Sequence, residues 1–248
     1  MAKESAVAYP WRDFMLHMRE NWSQGEHWAL VAPTGEGKTT FVSQLVMLRR
    51  WVGLYDQKGG TDDIVAILEE QGWPRVNRWP LSMEMRKKIR EGKEPVRLIV
   101  GGKGRKPQDK LRRRAYHQKT LDGMSQEGGW TILIPDLALL TDRRFGNAGD
   151  KVTEGLLEGR SAKNTYITEF QRPAGVPREA ADQATYLATS YTRDTDTIAR
   201  LAEMMGRSRV ETRGAVKALG DDDGKFAWIV VSRNPREPLM VVRPPKLA

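Results

Sequence analysis

The chain contains no cysteine. Disulfides and cysteine-ligated zinc are therefore excluded, and the composition is compatible with a cytosolic site. No apolar run approaches the roughly 20 residues a helix needs to cross a bilayer. The opening residues, M-A-K-E-S-A-V-A-Y-P, hold no signal-peptide core. A cytoplasmic protein without a membrane anchor is expected. Internal repeats and low-complexity linkers are absent too, so no solenoid or tethered-domain architecture is indicated.

What is present suits one folded unit. The 248 residues are 39% hydrophobic and 29% charged, typical of a globular chain long enough to bury a sizeable core. The net charge of +9 points to an acidic polymer or surface as partner.

The stretch from Trp28 to Thr40 reads W-A-L-V-A-P-T-G-E-G-K-T-T. Trp28 to Val31 predicts a short buried strand, and Phe41 to Arg50 a helix. Between them lies a phosphate-binding pattern with Ala32 in place of its first Gly. Strand, glycine loop and helix together are the context such a cradle needs. Gly35 and Gly37 let backbone N–H groups turn toward phosphate oxygens, and the helix adds its positive end. Thr34, Gly35, Glu36, Gly37, Lys38, Thr39 and Thr40 form the candidate nucleotide loop. Lys38 is placed to reach the β- and γ-phosphates, and the Thr39 hydroxyl to ligate Mg²⁺.

The remaining pattern alternates strands with helices, which predicts a mainly parallel sheet. Residues 1–24 are expected to form an amphipathic helix packed on the core, and 25–248 the main domain. Val52 to Tyr55 reads as a second strand ending in D-Q-K-G-G-T-D, and Arg97 to Val100 as another. Residues 86–114 carry thirteen Lys or Arg against three acids. This basic insert is an electrostatic footprint for a phosphate backbone, with Lys103, Arg105, Lys106, Lys110, Arg112, Arg113 and Arg114 as candidate DNA contacts. A solvated, charge-rich helix pair is the competing reading. Thr131 to Leu137, T-I-L-I-P-D-L, is a strand ending in an acid, as a metal-binding strand requires; Asp136 is alternatively an ordinary helix N-cap. Thr165 to Phe170 is a strand closed by Gln171-Arg172-Pro173. Residues 220–224 form a turn, and after it Phe226 to Ser232 and Leu239 to Val242 form the closing strands, with a turn at Asn234-Pro235.

The phosphate loop, Y-D-Q-K-G, I-P-D-L-A-L-L and G-R-S-A-K-N-T-Y-I-T-E-F-Q-R-P, in that order, resemble the HerA/FtsK group of ring-forming ATPases. The resemblance spans roughly residues 25 to 245. It implies a RecA-like α/β P-loop NTPase fold, a mainly parallel central sheet flanked by helices with a C-terminal antiparallel edge hairpin. It implies ATP and Mg²⁺ as cofactors and an ATP-driven DNA translocase or packaging ATPase working as a hexameric ring. Double-stranded DNA, further copies of the chain and a capsid or portal-like protein are the partners implied, in the cytoplasm of a host cell if the protein is viral. Lys38 and Thr39 take the phosphate and Mg²⁺ roles, and Gln171 the γ-phosphate sensor. Asp56 and Lys58 match the D-x-K of the second strand. Arg160 matches an arginine acting at a neighbour's site; it equally suits a helix C-terminal cation.

One departure stands out. The family carries two adjacent acids on the metal strand, one for Mg²⁺ and one as base, where this chain has Pro135-Asp136. Asp136 is the metal acid or the base, and one carboxylate is missing locally. Glu169 and Asp56 are the candidates to replace it. The alternative function is a nucleotide-gated assembly or DNA-binding protein with little hydrolysis.

Overall fold

Strand β2 (His27–Val31) is buried at every position. A strand with parallel neighbours on both sides and helices on both faces has no solvent face. Its neighbours are β7 (Thr165–Phe170), with Trp28 opposite Ile167, and β8 (Ala184–Thr189), with Trp28 opposite Tyr186. The computed structural model describes residues 6–141, 148–172, 177–221, 226–234 and 237–246. Pro173, residues 222–225 of the Asp-rich turn and Pro235 lie outside them.

The remaining strands are β1 (Val7–Tyr9), β3 (Trp51–Tyr55), β4 (Arg75–Val76), β5 (Val96–Val100), β6 (Thr131–Ile134), β9 (Trp228–Ser232) and β10 (Met240–Val242). They form one sheet in the order β1-β10-β9-β8-β2-β7-β6-β3-β5-β4. From β8 to β4 every pairing is parallel. Among the described strands only β9 runs against its neighbours, β8 and β10.

Alternation along the strands divides the core in two. Trp28 and Leu30 join Phe14, Phe41, Tyr186 and Trp228 on one face. There pack α1 (Trp11–Asn21), α2 (Lys38–Leu45) and α3 (Asp63–Glu70). Ala29 and Val31 join Tyr55, Trp130, Tyr166 and Phe170 on the other. That face is covered by α5 (Pro107–Glu127), α7 (Ala148–Glu158) and α8 (Arg178–Asp182). Trp28 stacks on Tyr186 at 4.7 Å between ring centroids, a contact contributing about 1 kcal/mol beyond its buried area. The other helices are α4 (Met83–Glu91), α6 (Leu137–Thr141), α9 (Thr195–Met205) and α10 (Arg209–Asp221). Among the described residues no helix is long and apolar enough to cross a membrane.

Two local expectations change. The N-terminal helix starts at Trp11: Pro10 is its N-cap, extended at ψ 138°, and its carbonyl accepts the first helical bond from the Phe14 N–H. The residues before it, Val7–Tyr9, pair in parallel with β10 and lie outside the β9–β10 pair. Residues 86–114, expected as an insert, supply part of the sheet: β5 sits inside it between β3 and β4, flanked in sequence by α4 and α5.

Candidate nucleotide site

The loop between β2 and α2 turns at Gly35 and Gly37, with φ of 88° and 79°. Only glycine adopts such angles without strain. At Gly37 space also decides: a Cβ would stand 2.7 Å from the Phe226 ring. Lys38 Nζ donates to the carbonyls of Ala32 and Pro33, at 2.5 and 2.8 Å. The lysine thus folds back over its own loop. Burial lowers its pKa, opposed by the charges of Glu169 and Asp136.

A cleft of about 310 Å³ opens beside this loop. Thr34, Gly35, Gly37, Lys38 and Thr39 form one wall; Glu36 and Thr40 do not line it. Opposite stand residues at the carboxyl ends of three neighbouring strands. Asp136 follows β6, Glu169 and Gln171 close β7, and Lys58 and Asp62 follow β3. This is where open parallel sheets bind ligands. The tertiary structure therefore brings Lys38, Thr39, Asp136 and Gln171 together.

Asp136 takes a left-handed conformation, φ 59°, immediately before α6. Its Oδ2 lies 3.4 Å from Lys58 Nζ, and Asp62 Oδ1 lies 2.9 Å from the same nitrogen. Burial pulls the Lys58 pKa down, but the two carboxylates outweigh it and raise it overall. Burial raises the pKa of Asp62, whose Oδ2 is buried without a hydrogen-bond partner.

Glu169 is 5% exposed, and its Oε1 has no hydrogen-bond partner. Burial pushes its pKa up to about 7 against the pull of Lys38. Asp56, the other candidate for the missing acid, is engaged elsewhere. It is fully buried, pairs with Arg75 Nη1 at 2.6 Å and accepts from the Lys58 and Gly59 N–H groups.

Mg²⁺ fits the donor set: a Thr hydroxyl and two carboxylates, Thr39, Asp136 and Asp62, line one cleft. Among the described residues no cluster of three or more His, Cys, Asp or Glu forms a free-standing metal site. Nucleotide-bound Mg²⁺ needs only one or two carboxylates, because phosphates and water complete its shell.

Arg160 lies apart from the cleft. It sits in the exposed turn after α7 and donates to Thr185 Oγ1 at 3.3 Å, at the start of β8. That is the opposite end of the sheet, separated from the loop by the length of β2, about 16 Å. Arg160 cannot reach its own chain's cleft.

The basic residues divide. Arg105, Lys106, Lys110 and Arg112 are exposed, and Lys103 pairs with Glu69 at 3.1 Å. Arg114 is half-buried. Arg113, grouped with them from sequence, is 4% exposed and donates to the carbonyls of Gln57, Gly102 and Gly104. Its guanidinium fastens two loops together and is not an exposed surface contact.

Two residues escaped the reading of the sequence. Asp62 was legible in principle as the N-cap before a helical run. Phe226, packed on Gly37 across the chain, had no local signal.

No protein-family model and no curated protein matches the chain. Solved structures do. The genome packaging NTPase B204 from Sulfolobus turreted icosahedral virus 2, in complex with AMP, superposes over 89% of this chain and 98% of its own, with a TM-score of 0.59 at 13% identity. VirB4 of Thermoanaerobacter pseudethanolicus covers 89% of each chain at a TM-score of 0.59 and 10% identity. The pCW3 conjugation coupling protein TcpA, with ATPγS, matches 88% of this chain and 59% of its own at 0.52 and 11%. These superpositions show that the chain shares the fold of these proteins, a mainly parallel α/β sheet flanked by helices.

Proposed function

We propose that the protein is an ATP-driven DNA translocase of genome-packaging type, working as a hexameric ring. The observation that carries this reading is the single cleft holding Lys38, Thr39, Asp136, Glu169 and Gln171, with a cationic face beside it. The likeness to a viral packaging NTPase and a conjugation coupling protein supports it.

In this reading Lys38 leaves the loop carbonyls for the β- and γ-phosphates. Thr39 and Asp136 would hold Mg²⁺, which would supply neutralisation of the phosphate charge. Glu169 supplies the carboxylate that β6 lacks: its free Oε1 takes the proton of the attacking water, and a pKa near neutrality suits a base at neutral pH. Gln171 orients that water. Arg160, on the far end of the sheet, serves the cleft of the next subunit. Lys103, Arg105, Lys106, Lys110, Arg112 and Arg114 face double-stranded DNA. A capsid or portal-like protein holds the ring in the host cytoplasm.

The test is ATP turnover with and without duplex DNA, with Lys38→Ala as control. DNA-stimulated turnover lost in the variant is expected. Pro135, standing where a second acid is expected, favours one other reading, a nucleotide-gated assembly protein. ATP-dependent oligomers without turnover above the Lys38→Ala background would establish that reading and sink the first.

A further inference from the structure

A second cavity, of about 410 Å³, adjoins the nucleotide cleft. It lies between the loop after β3, the loop before α5 and the first turns of α5. Ten residues line it; five are cations (Lys58, Arg105, Lys110, Arg113 and Arg114) and none is a carboxylate. Arg113 is buried and satisfied by carbonyls alone, with no ion pair among the described residues. Asp56 and Asp109 act on its charge from a distance rather than in an ion pair, and in so poorly solvated a wall an anion interacts more strongly than in open water. Gln57 also lines the cavity, and both its amide atoms are buried without a partner. A donor-rich concavity of this size fits a phosphoryl group with its attached sugar.

Lys58 lines both cavities. Its ammonium now bridges Asp62 and Asp136, occupying carboxylates that Mg²⁺ needs. We propose that the cationic cavity binds a phosphodiester of a DNA strand, and that Lys58, in the wall shared with the nucleotide cleft, couples the two ligands. A phosphodiester in the cavity draws Lys58 from the carboxylates and frees them for Mg–nucleotide. By linkage, Mg–nucleotide releases Lys58 toward the DNA. The proposal rests on the DNA-translocase reading for its ligand, and it assigns that ligand a place and a route of communication.

The test is fluorescence anisotropy of a labelled DNA oligonucleotide on the full chain, with and without Mg–AMPPNP. In the wild type the nucleotide should tighten DNA binding about fivefold or more. Lys58→Met should bring that ratio to one. The double variant Arg105→Ala, Lys110→Ala alters exposed side chains only. It should melt as the wild type does, bind Mg–AMPPNP unchanged, and lower the slope of log affinity against log salt by about 2. A wild-type ratio of one, or a double variant with unchanged affinity and slope, overturns the proposal. Displacement of DNA by AMP or inorganic phosphate at equal phosphate concentration would mark a small-anion site and overturn it as well. If no ATP is hydrolysed but the ratio and its loss in Lys58→Met stand, the translocase reading fails and the coupling survives. If hydrolysis is DNA-stimulated equally in the double variant, the coupling fails and the translocase reading survives.

Discussion

Replacing Glu169 with Gln exchanges one oxygen for nitrogen and probes both the chemistry and the electrostatics of the cleft. Burial raises the Glu169 carboxyl from 4.5 to about 7. A carboxyl whose folded pKa is raised stabilises the fold fully below its unfolded value, and that stability is lost as pH rises through the folded value. At 1.36 kcal/mol per unit of pKa, the ionised side chain costs the folded state roughly 1 kcal/mol at pH 5 and about 3 kcal/mol at pH 8.5. Gln is neutral throughout, so Glu169→Gln removes the pH-dependent part. The variant's advantage should grow by about 2 kcal/mol between these pH values, or roughly 4–8 °C in Tm for a chain of this size. Thermal melts of both proteins at pH 5 and pH 8.5 measure this. ATP turnover of the same variant should fall by about 10²-fold or more. An equal Tm difference at both pH values would refute the buried, electrostatically unsupported carboxyl. Retained turnover would refute its role as base.

Further outcomes follow from other contacts. Asp136→Asn should remove ATP hydrolysis while leaving nucleotide affinity, measured by calorimetry, within about threefold, since Lys38 and the loop remain; unchanged turnover would place the working carboxylate elsewhere. Arg113→Ala leaves three part-buried carbonyls without their donor and should destabilise the fold by roughly 1–3 kcal/mol, whereas Arg112→Ala at an exposed position should stay within about 0.5 kcal/mol; equal melting of the two variants would show that Arg113 fastens nothing. His27 and His117 are both buried and both lowered by burial to about 4. They should remain neutral to about pH 4 in NMR titrations, and the stability they contribute should be present above 6.5 and lost as pH falls toward 4, about 2 kcal/mol each by pH 5; titration near 6.5 would contradict their burial.

The fold was legible where local pattern and global position agree. The run at Trp28–Val31, the glycines at 35 and 37 and the strand at 165–170 each have a signature on a few adjacent residues. Strand β1 was not legible. Three half-exposed residues ahead of Pro10 acquire strand character only because β10 lies beside them. The basic stretch misled for a related reason. Charge density marks a surface, yet Val96, Leu98, Ile99 and Val100 are buried in the sheet, and Arg113 turns inward to carbonyls that come from two other segments.

The amino-acid order by itself indicated the phosphate cradle, the mainly parallel sheet and candidate roles for Lys38, Thr39 and Asp136, because glycine conformation, strand pattern and spacing are properties of short segments; the role of Gln171 came from the family resemblance. Only the tertiary structure decided which acids are available to the cleft. Asp56 and Glu169 look alike as sequence, but one meets Arg75 and the other meets no donor at its Oε1. Whether a buried carboxyl is paired or left to titrate depends on partners distant along the chain, and those are chosen by packing.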